Sequence, residues 1–448
     1  MRFCLVSTHT DQTIGYSKVS GNILKELSKN CLLNPEQNVK LFHFGFQRHV
    51  AKANLKKVPE GVISYDASAN EDPKEEGFGF NKFKEYLDMV QPDVVMIYND
   101  IITISKFLDV LMDKSTSSSA TLKEKEHQNS LLTYDVSLKP SFKIWLYLDV
   151  MYKNMHPSLL KKVFQITDRI YVFSETGKSQ MKLYNDSDLY GIVPEIKVLE
   201  HSVDSSVFFP LKSIDHKYIS REKLGIPSNA IVFLNCNRNS ARKRLDHSVM
   251  AFARLLSNTK VNHLPLYFIF ATGGVSGKGG QPYYDIPRMF VEELKKCNMN
   301  EDFWKKRLLL LDTNINVIHD EGINELYNIC DIGVNTSTGE GFGLCTFEHM
   351  IANSAAQIVN DIGCYSHYLS TDTDKLALIV PTFEHGYFDT AQSAFGFEYP
   401  MFDLKDITKS FEECVLNLEN WKQKSKLLKL KSWSDIMKEF WEDLIRFK

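Results

Sequence analysis

Short apolar runs separated by helical stretches recur in two sets along this chain, and that repetition restricts its fold more than any other feature. The first set is Phe3 to Val6, Val39 to Phe46, Val62 to Tyr65, Val94 to Tyr98, Phe142 to Leu148, Ile170 to Phe173 and Ile196 to Leu199. Between these runs lie helical patterns such as Val19, Ile23 and Leu27, Phe83 to Val90, and Leu159 to Ile166. Runs that are apolar throughout suit strands covered on both faces, and helical crossovers make such a sheet parallel. The second set begins near residue 230: Ile231 to Leu234, Leu266 to Ala271, Leu308 to Leu311, Ile332 to Asn335, Gln357 to Val359 and Leu378 to Val380. With 448 residues the chain exceeds the ~250–300 residues at which a single core stops growing. Two α/β domains are therefore expected, linked through Asp204-Ser205-Ser206-Val207-Phe208-Phe209-Pro210. A last amphipathic helix is read from Trp433 to Ile445.

Bulk properties exclude several classes. The composition, 43% hydrophobic and 24% charged, is that of a globular protein, and a net charge of −3 makes no global case for a nucleic-acid partner. The eight cysteines (Cys4, Cys31, Cys236, Cys297, Cys330, Cys345, Cys364, Cys414) contain no C-x-x-C pair. They read as reduced core thiols of an intracellular protein rather than a disulfide frame or a zinc site. The apolar start Phe3 to Val6 is too short for a signal peptide, and no stretch reaches the ~20 apolar residues of a membrane span. A cytoplasmic protein is expected, touching a membrane surface at most. The polar run 113–130 reads as a mobile surface insertion, and residues 66–80 as a long acidic loop.

The chemistry concentrates in Gly339-Glu340-Gly341-Phe342-Gly343-Leu344-Cys345-Thr346-Phe347-Glu348. This stretch follows a buried strand and opens a helix whose face carries Leu344, Phe347, Glu348 and Ile351. A glycine-rich turn of this kind gathers backbone N–H groups and a helix N-terminus at one point, which suits a phosphate or a sugar hydroxyl. Glu348 shares the apolar face, so its carboxylate needs a buried donor, either from a protein neighbour or from ligand hydroxyls. Glu340 stands in the turn and can face the same place. An ordinary βα turn remains the alternative.

Other segments add candidates. The first strand of the second set runs into Arg238, Arg242, Lys243 and Arg244, either an anion site or a solvated basic face. Thr272 to Gly280 is glycine-rich but fails the Walker pattern, since Gly279 follows Lys278 where Ser or Thr is required. The triplets Asp186-Ser187-Asp188 and Asp372-Thr373-Asp374 read as surface turns rather than metal sites. Gly15 ends the first loop, as a simple turn or as a point of close ligand approach. Asp149 follows the strand ending at Leu148, where carboxyl ends of strands collect ligands. It serves there either a ligand or the cap of the helix over 157–165.

Two glutamates separated by seven residues, with Gly-Phe-Gly-Leu after the first, resemble the signature of the retaining glycosyltransferases of family 4, and the resemblance extends over nearly the whole chain. It implies a GT-B fold: two Rossmann-like parallel-sheet domains with the active site in the cleft between them. Residues 1–205 would form the acceptor-side domain, with the helix 428–448 crossing back onto it, and 206–427 the nucleotide-sugar domain. The implied activity is metal-independent transfer of a hexose from a nucleotide-diphosphate sugar, GDP-mannose being favoured, to a glycan, glycoprotein or lipid-linked acceptor. Glu340 would bond donor-sugar hydroxyls and Glu348 the ribose. Gly341, Phe342, Gly343 and Leu344 would offer backbone N–H groups. Arg238 and Lys243 would hold the diphosphate, Gly15 would lie against it, and Asp149 would contact the transferred sugar. Where many members carry a histidine or a His-Asp pair, this chain has Leu148-Asp149-Val150. Where they have Gly-x-Pro after the helix, it has Asn353-Ser354-Ala355-Ala356. No metal or other cofactor is implied. A phosphorylase, a sugar-nucleotide epimerase and a catalytically silent scaffold of the same fold are the competing expectations.

Overall fold

The computed structural model describes residues 1–49, 57–112, 137, 139–184, 192–211, 213–273, 283–313, 315–371, 374–390 and 395–447. The run 113–130, the triplet at Asp186–Asp188, Asp372 and residues 274–280 of the glycine-rich segment lie outside them. The chain divides into two compact units. One contains Met1–Ser202, Tyr387–Glu398 and Lys431–Lys448, the other Val203–Gly386 and Tyr399–Leu430. Residues 387–398, read from the sequence as part of the second domain, thus group with the first.

The first unit is built on a seven-stranded parallel sheet: β1 (Arg2–Thr8), β2 (Lys40–Phe46), β3 (Val62–Asp66), β4 (Val94–Asn99), β5 (Lys143–Leu148), β6 (Arg169–Val172) and β7 (Glu195–Val198), in the order β3-β2-β1-β4-β5-β6-β7. Phe3 to Val6 in β1, all of β4 and Ile144 to Leu148 in β5 are buried, as strands with both faces covered must be. The helix Gly15–Leu33 buries Val19, Ile23, Leu24 and Leu27. A cluster of Phe44, Phe83, Phe107 and Tyr86 fills one side, with ring centroids 4.9–6.2 Å apart. The helix Trp433–Arg446 packs on this unit: Phe440 meets Phe3, Trp145 and Tyr171 edge-on at 6.0, 6.0 and 5.3 Å. Asp443 accepts hydrogen bonds from Arg169, Tyr171 and Lys197, so three donors from β6 and β7 compensate its half-buried charge.

The second unit has six parallel strands: β8 (Ile231–Asn235), β9 (Leu266–Thr272), β10 (Leu308–Asp312), β11 (Ile332–Asn335), β12 (Ala356–Asn360) and β13 (Leu378–Val380), ordered β10-β9-β8-β11-β12-β13. Asp331, just before β11, is buried against Arg221 and Lys217 at 2.7 and 2.8 Å. Arg221 also donates to the Ile329 and Ala230 carbonyls, anchoring the helix Ile214–Lys223 to the sheet end. A separate antiparallel pair, β14 (Glu384–Thr390) and β15 (Phe395–Met401), was not read from the sequence. Among the described residues no helix is long and apolar enough to cross a membrane.

Candidate functional site

In the second sheet the strand order reverses between β8 and β11, and the loops leaving their carboxyl ends diverge there to make a crevice. The β8 loop closes in a short 3₁₀ turn, Ala241–Lys243, and Arg244 then takes φ 46° before the helix Leu245–Leu256 begins. The β11 loop runs from Thr336 to Gly343 and ends in the helix Leu344–Asn353. The two loops are tied together. Thr336 Oγ1 donates to the Arg244 carbonyl at 2.8 Å, and the Thr338 N–H to the Arg242 carbonyl at 2.9 Å.

Glu340 is the centre of this arrangement. Its Oε1 accepts from the Lys243 ammonium, from Ser337 Oγ at 2.7 Å and from Asn335 Nδ2 at 3.2 Å. Its Oε2 accepts from Arg242 at 3.1 Å. Burial alone would raise the Glu340 carboxyl, but Lys243 and Arg242 outweigh it and hold it down at about 2. Burial pulls the Lys243 ammonium down and Glu340 opposes that. The pair is therefore charged at neutral pH, held in place by neutral donors that complete the carboxylate's shell.

Gly343 sits at φ 86°, and a Cβ there would fall 2.3 Å from the Tyr365 hydroxyl oxygen. Only glycine fits this position. The Tyr365 hydroxyl beneath it accepts from Asn335 at 2.6 Å and lies 3.0 Å from Thr346 Oγ1. Gly343 brings no side-chain cap to the helix Leu344–Asn353, its carbonyl takes the Thr346 N–H at 3.0 Å, and the positive end of the helix dipole favours an anion.

The other sequence candidates fall in different surroundings. Glu348 is buried, and the Tyr327 hydroxyl, on the neighbouring helix Asp320–Ile329, donates to its Oε2 at 2.9 Å. The narrow apolar face read for its helix is wider than expected. Residues 346–350 are all buried, whereas Leu344 and Ile351 are only partly so. Phe342 is buried against Phe347 and Tyr368 at 4.5 and 5.2 Å, so only its backbone is available to a ligand. Arg238 is exposed, and among the described residues no hydrogen bond or ion pair engages its side chain. The basic segment is not a solvated face: Lys243 is buried, Arg242 reaches Glu340, and Arg244 turns to Asp246 at 2.8 Å.

In the first unit Gly15 opens the first helix and is exposed. Tyr16 beside it donates to Asp149 Oδ2 at 2.9 Å. Asp149 does not cap the helix Pro157–Phe164: His156 does, its Nδ1 accepting from the Ser158 N–H at 3.3 Å. Asp374 accepts from Lys424 and the Lys375 N–H. No group of three or more His, Cys, Asp or Glu positioned for a metal occurs among the described residues.

Sequence reasoning passed over Asn335, Ser337, Tyr327 and Tyr365, and named Arg242 in the basic segment without a role of its own. A faint signal was present, since Asn335 and Ser337 flank the end of β11 and Arg242 adjoins Lys243. Which side chain converges on Glu340 depends on the 3₁₀ turn, which the residue types do not disclose.

No protein-family model matches the chain, and no curated protein matches it in sequence. Solved structures match it over nearly their whole lengths. Sucrose-phosphate synthase from Thermosynechococcus elongatus superposes with a TM-score of 0.64 at 13% identity, covering 100% of both chains. The α,α-trehalose 6-phosphate synthase from Burkholderia multivorans gives 0.61 at 13% identity, covering 100% of this chain and 96% of that one. An Anabaena protein in complex with UDP and glucose gives 0.58 at 12% identity, covering 99% of each. The chain thus has the GT-B fold of these proteins, with two Rossmann-like parallel-sheet domains.

Proposed function

We propose that this chain is a retaining glycosyltransferase of the family 4 type, moving a hexose from a nucleotide-diphosphate sugar to a glycan, glycoprotein or lipid-linked acceptor without a bound metal. One observation carries the reading: the buried Glu340 carboxylate paired with Lys243 and Arg242, beside a helix N-terminus that lacks a side-chain cap. An anionic group with hydroxyls attached is the ligand that such a mixed surface suits.

In this reading the diphosphate lies over the N-terminus of the helix Leu344–Asn353, with Lys243 and Arg238 beside it, and the family resemblance gives Gly15 a diphosphate contact. Glu340 Oε1 already accepts three hydrogen bonds, so Oε2, which accepts from Arg242, takes the donor-sugar hydroxyl. The Lys243 ammonium has three donors and can keep Glu340 while adding a phosphate oxygen. As the glycosidic C–O bond breaks, its electron pair passes to the β-phosphate oxygen, where these cations stabilise it. The acceptor oxygen attacks the face being vacated and gives its proton to that phosphate. Asp149, oriented by Tyr16, receives a hydroxyl of the transferred ring. Glu348, held by Tyr327, receives the ribose hydroxyls. A cytoplasmic setting goes with this reading, as does contact with a membrane surface if the acceptor is lipid-linked.

The family 4 resemblance favours GDP-mannose, whereas the neighbour holding UDP and glucose favours a uridine donor. A thermal-shift screen of UDP- and GDP-sugars in EDTA separates them, since a ligand at 100 times its Kd adds about 2.7 kcal/mol. The expected result is one donor that raises the midpoint and is turned over in EDTA. Binding of no nucleotide sugar, or a strict need for manganese or magnesium, would overturn the reading.

A further inference from the structure

The β8 loop, which carries Arg238, Arg242 and Lys243, is gripped by residues that the donor contacts above do not include. Asn239 Nδ2 donates to the Tyr284 carbonyl and the Tyr284 N–H donates back to Asn239 Oδ1, both at 2.9 Å. The Tyr284 hydroxyl donates to the Ala241 carbonyl at 2.9 Å. That carbonyl also takes the Arg244 N–H at 3.2 Å, the bond that closes the 3₁₀ turn Ala241–Lys243. Both lone pairs of the oxygen are therefore in use. Burial pushes the Tyr284 phenol up to about 12, so it stays a donor at neutral pH. Next to the turn, Arg244 holds φ 46°, a conformation that residues other than glycine keep only where their surroundings enforce it. Asp246 takes its guanidinium and Thr336 Oγ1 its carbonyl, both at 2.8 Å, while Tyr284 secures the turn just before it.

We propose that Asn239 and Tyr284 are positioning residues for sugar transfer, acting through the 3₁₀ turn to hold the Lys243 ammonium at the leaving diphosphate; the proposal rests on the glycosyltransferase reading above. The alternative is a staple for the helix Ile286–Lys296, and three observations count against it. That helix has its own cap, since Asp285 accepts from the Arg288 N–H at 3.2 Å. The bonds from Tyr284 end on Asn239 and Ala241, four and two positions before Lys243. Lys243 is itself buried, so in close-packed surroundings its side chain has little freedom to correct a displaced backbone. A bound diphosphate tolerates a small shift of one cation. The charge that grows on the leaving oxygen as the bond breaks needs a donor already in place.

The test is steady-state kinetics of the full chain with the donor selected by the screen. Tyr284→Phe deletes one hydrogen bond and keeps the ring, so kcat should fall about threefold; Asn239→Ala deletes two, and kcat should fall about tenfold. KM for the donor should stay within about twofold. In a Lys243→Ala background each change should cost less than about twofold more, because the group it positions is gone. Full losses that multiply in that background would overturn the proposal, as would a melting midpoint that falls while kcat stays, or a rise in KM alone. A second measurement needs no donor. In protein isotopically labelled at lysine Cε, the Lys243 NMR signal, assigned by its loss in Lys243→Ala, should shift or broaden in both variants. An unmoved Lys243 signal would overturn the brace whether or not a nucleotide sugar binds. A parent that turns over no donor fails the glycosyltransferase reading, and this role with it.

Discussion

Replacing Glu340 by glutamine tests the centre of the proposed donor site with little change of shape. The carboxylate is buried and takes four side-chain donors, two of them cationic. The amide leaves the Lys243 ammonium buried without a counter-charge and turns an NH2 group towards donors. Breaking a buried pair from one side costs about 3–5 kcal/mol. The retained carbonyl can still serve Ser337 or Asn335, so the low end, about 3 kcal/mol, is expected. For a unit of this size each kcal/mol lowers the melting midpoint by about 2–4 °C, giving a fall of roughly 6–12 °C. Adding Lys243→Met removes the stranded charge, so the double variant should be more stable than Glu340→Gln alone by at least about 1 kcal/mol. Nucleoside diphosphate without sugar should raise the midpoint of Glu340→Gln more than that of the parent, because an incoming anion replaces the lost one. Calorimetric scans of the three proteins, with and without UDP and GDP, measure all of this. If Glu340→Gln melts within a degree or two of the parent, or the double variant is no more stable than the single one, the pair does not organise these loops.

Three further outcomes follow from the same structure. Burial pushes His43 and His201 of the first unit down to about 3, and His247 and His349 of the second to about 4. The unfolded chain therefore takes up these protons first, so stability is full above the ordinary histidine value and declines as the pH falls towards the folded values. With two such groups per unit the slope should approach roughly 3 kcal/mol per pH unit near pH 5; urea unfolding between pH 7.5 and 4.5 measures it, and a flat profile would refute it. Gly343→Ala meets both the positive φ and the Tyr365 hydroxyl and should cost about 2–4 kcal/mol, with Gly343→Ala/Tyr365→Phe expected to recover part of it in the same assay. Arg238→Ala and Lys243→Ala should each lower kcat by a hundredfold or more with the best donor, in proportion to about 3–4 kcal/mol of transition-state stabilisation; a rise in KM alone would make them anchors only.

The fold was legible because its strands are buried on both faces. Val94 to Tyr98 and Leu266 to Ala271 are apolar at every position, so no choice between helix and strand faces arose once length and crossovers were considered. The pair β14 and β15 escaped because Glu384-His385-Gly386-Tyr387-Phe388 mixes charge, glycine and aromatics in no period, and neither strand belongs to a large sheet. Around the candidate site the residue types were visible but their partners were not. Glu340 and Lys243 lie 97 positions apart, and their contact follows from β8 and β11 being neighbours. Arg238 and Arg242 could not be ranked, because a 3₁₀ turn and the left-handed Arg244 decide which guanidinium turns inward. Glu348 was recognisable as a carboxylate in need of a donor; that a tyrosine supplies it depends on helix packing.

The clasp between Asp443 and the strands β6 and β7 has a consequence for how the protein is made. The first unit includes the last helix of the chain, so its sheet emerges from the ribosome long before the surface that covers Phe3, Trp145 and Tyr171. Roughly 230 residues separate Ser202 from Lys431, and at about 5–20 residues per second that is on the order of ten to fifty seconds. Through that interval the nascent unit presents an uncovered aromatic face, which makes it a natural client for a chaperone. A variant without the helix Trp433–Arg446 would leave Phe3, Trp145 and Tyr171 without the ring of Phe440.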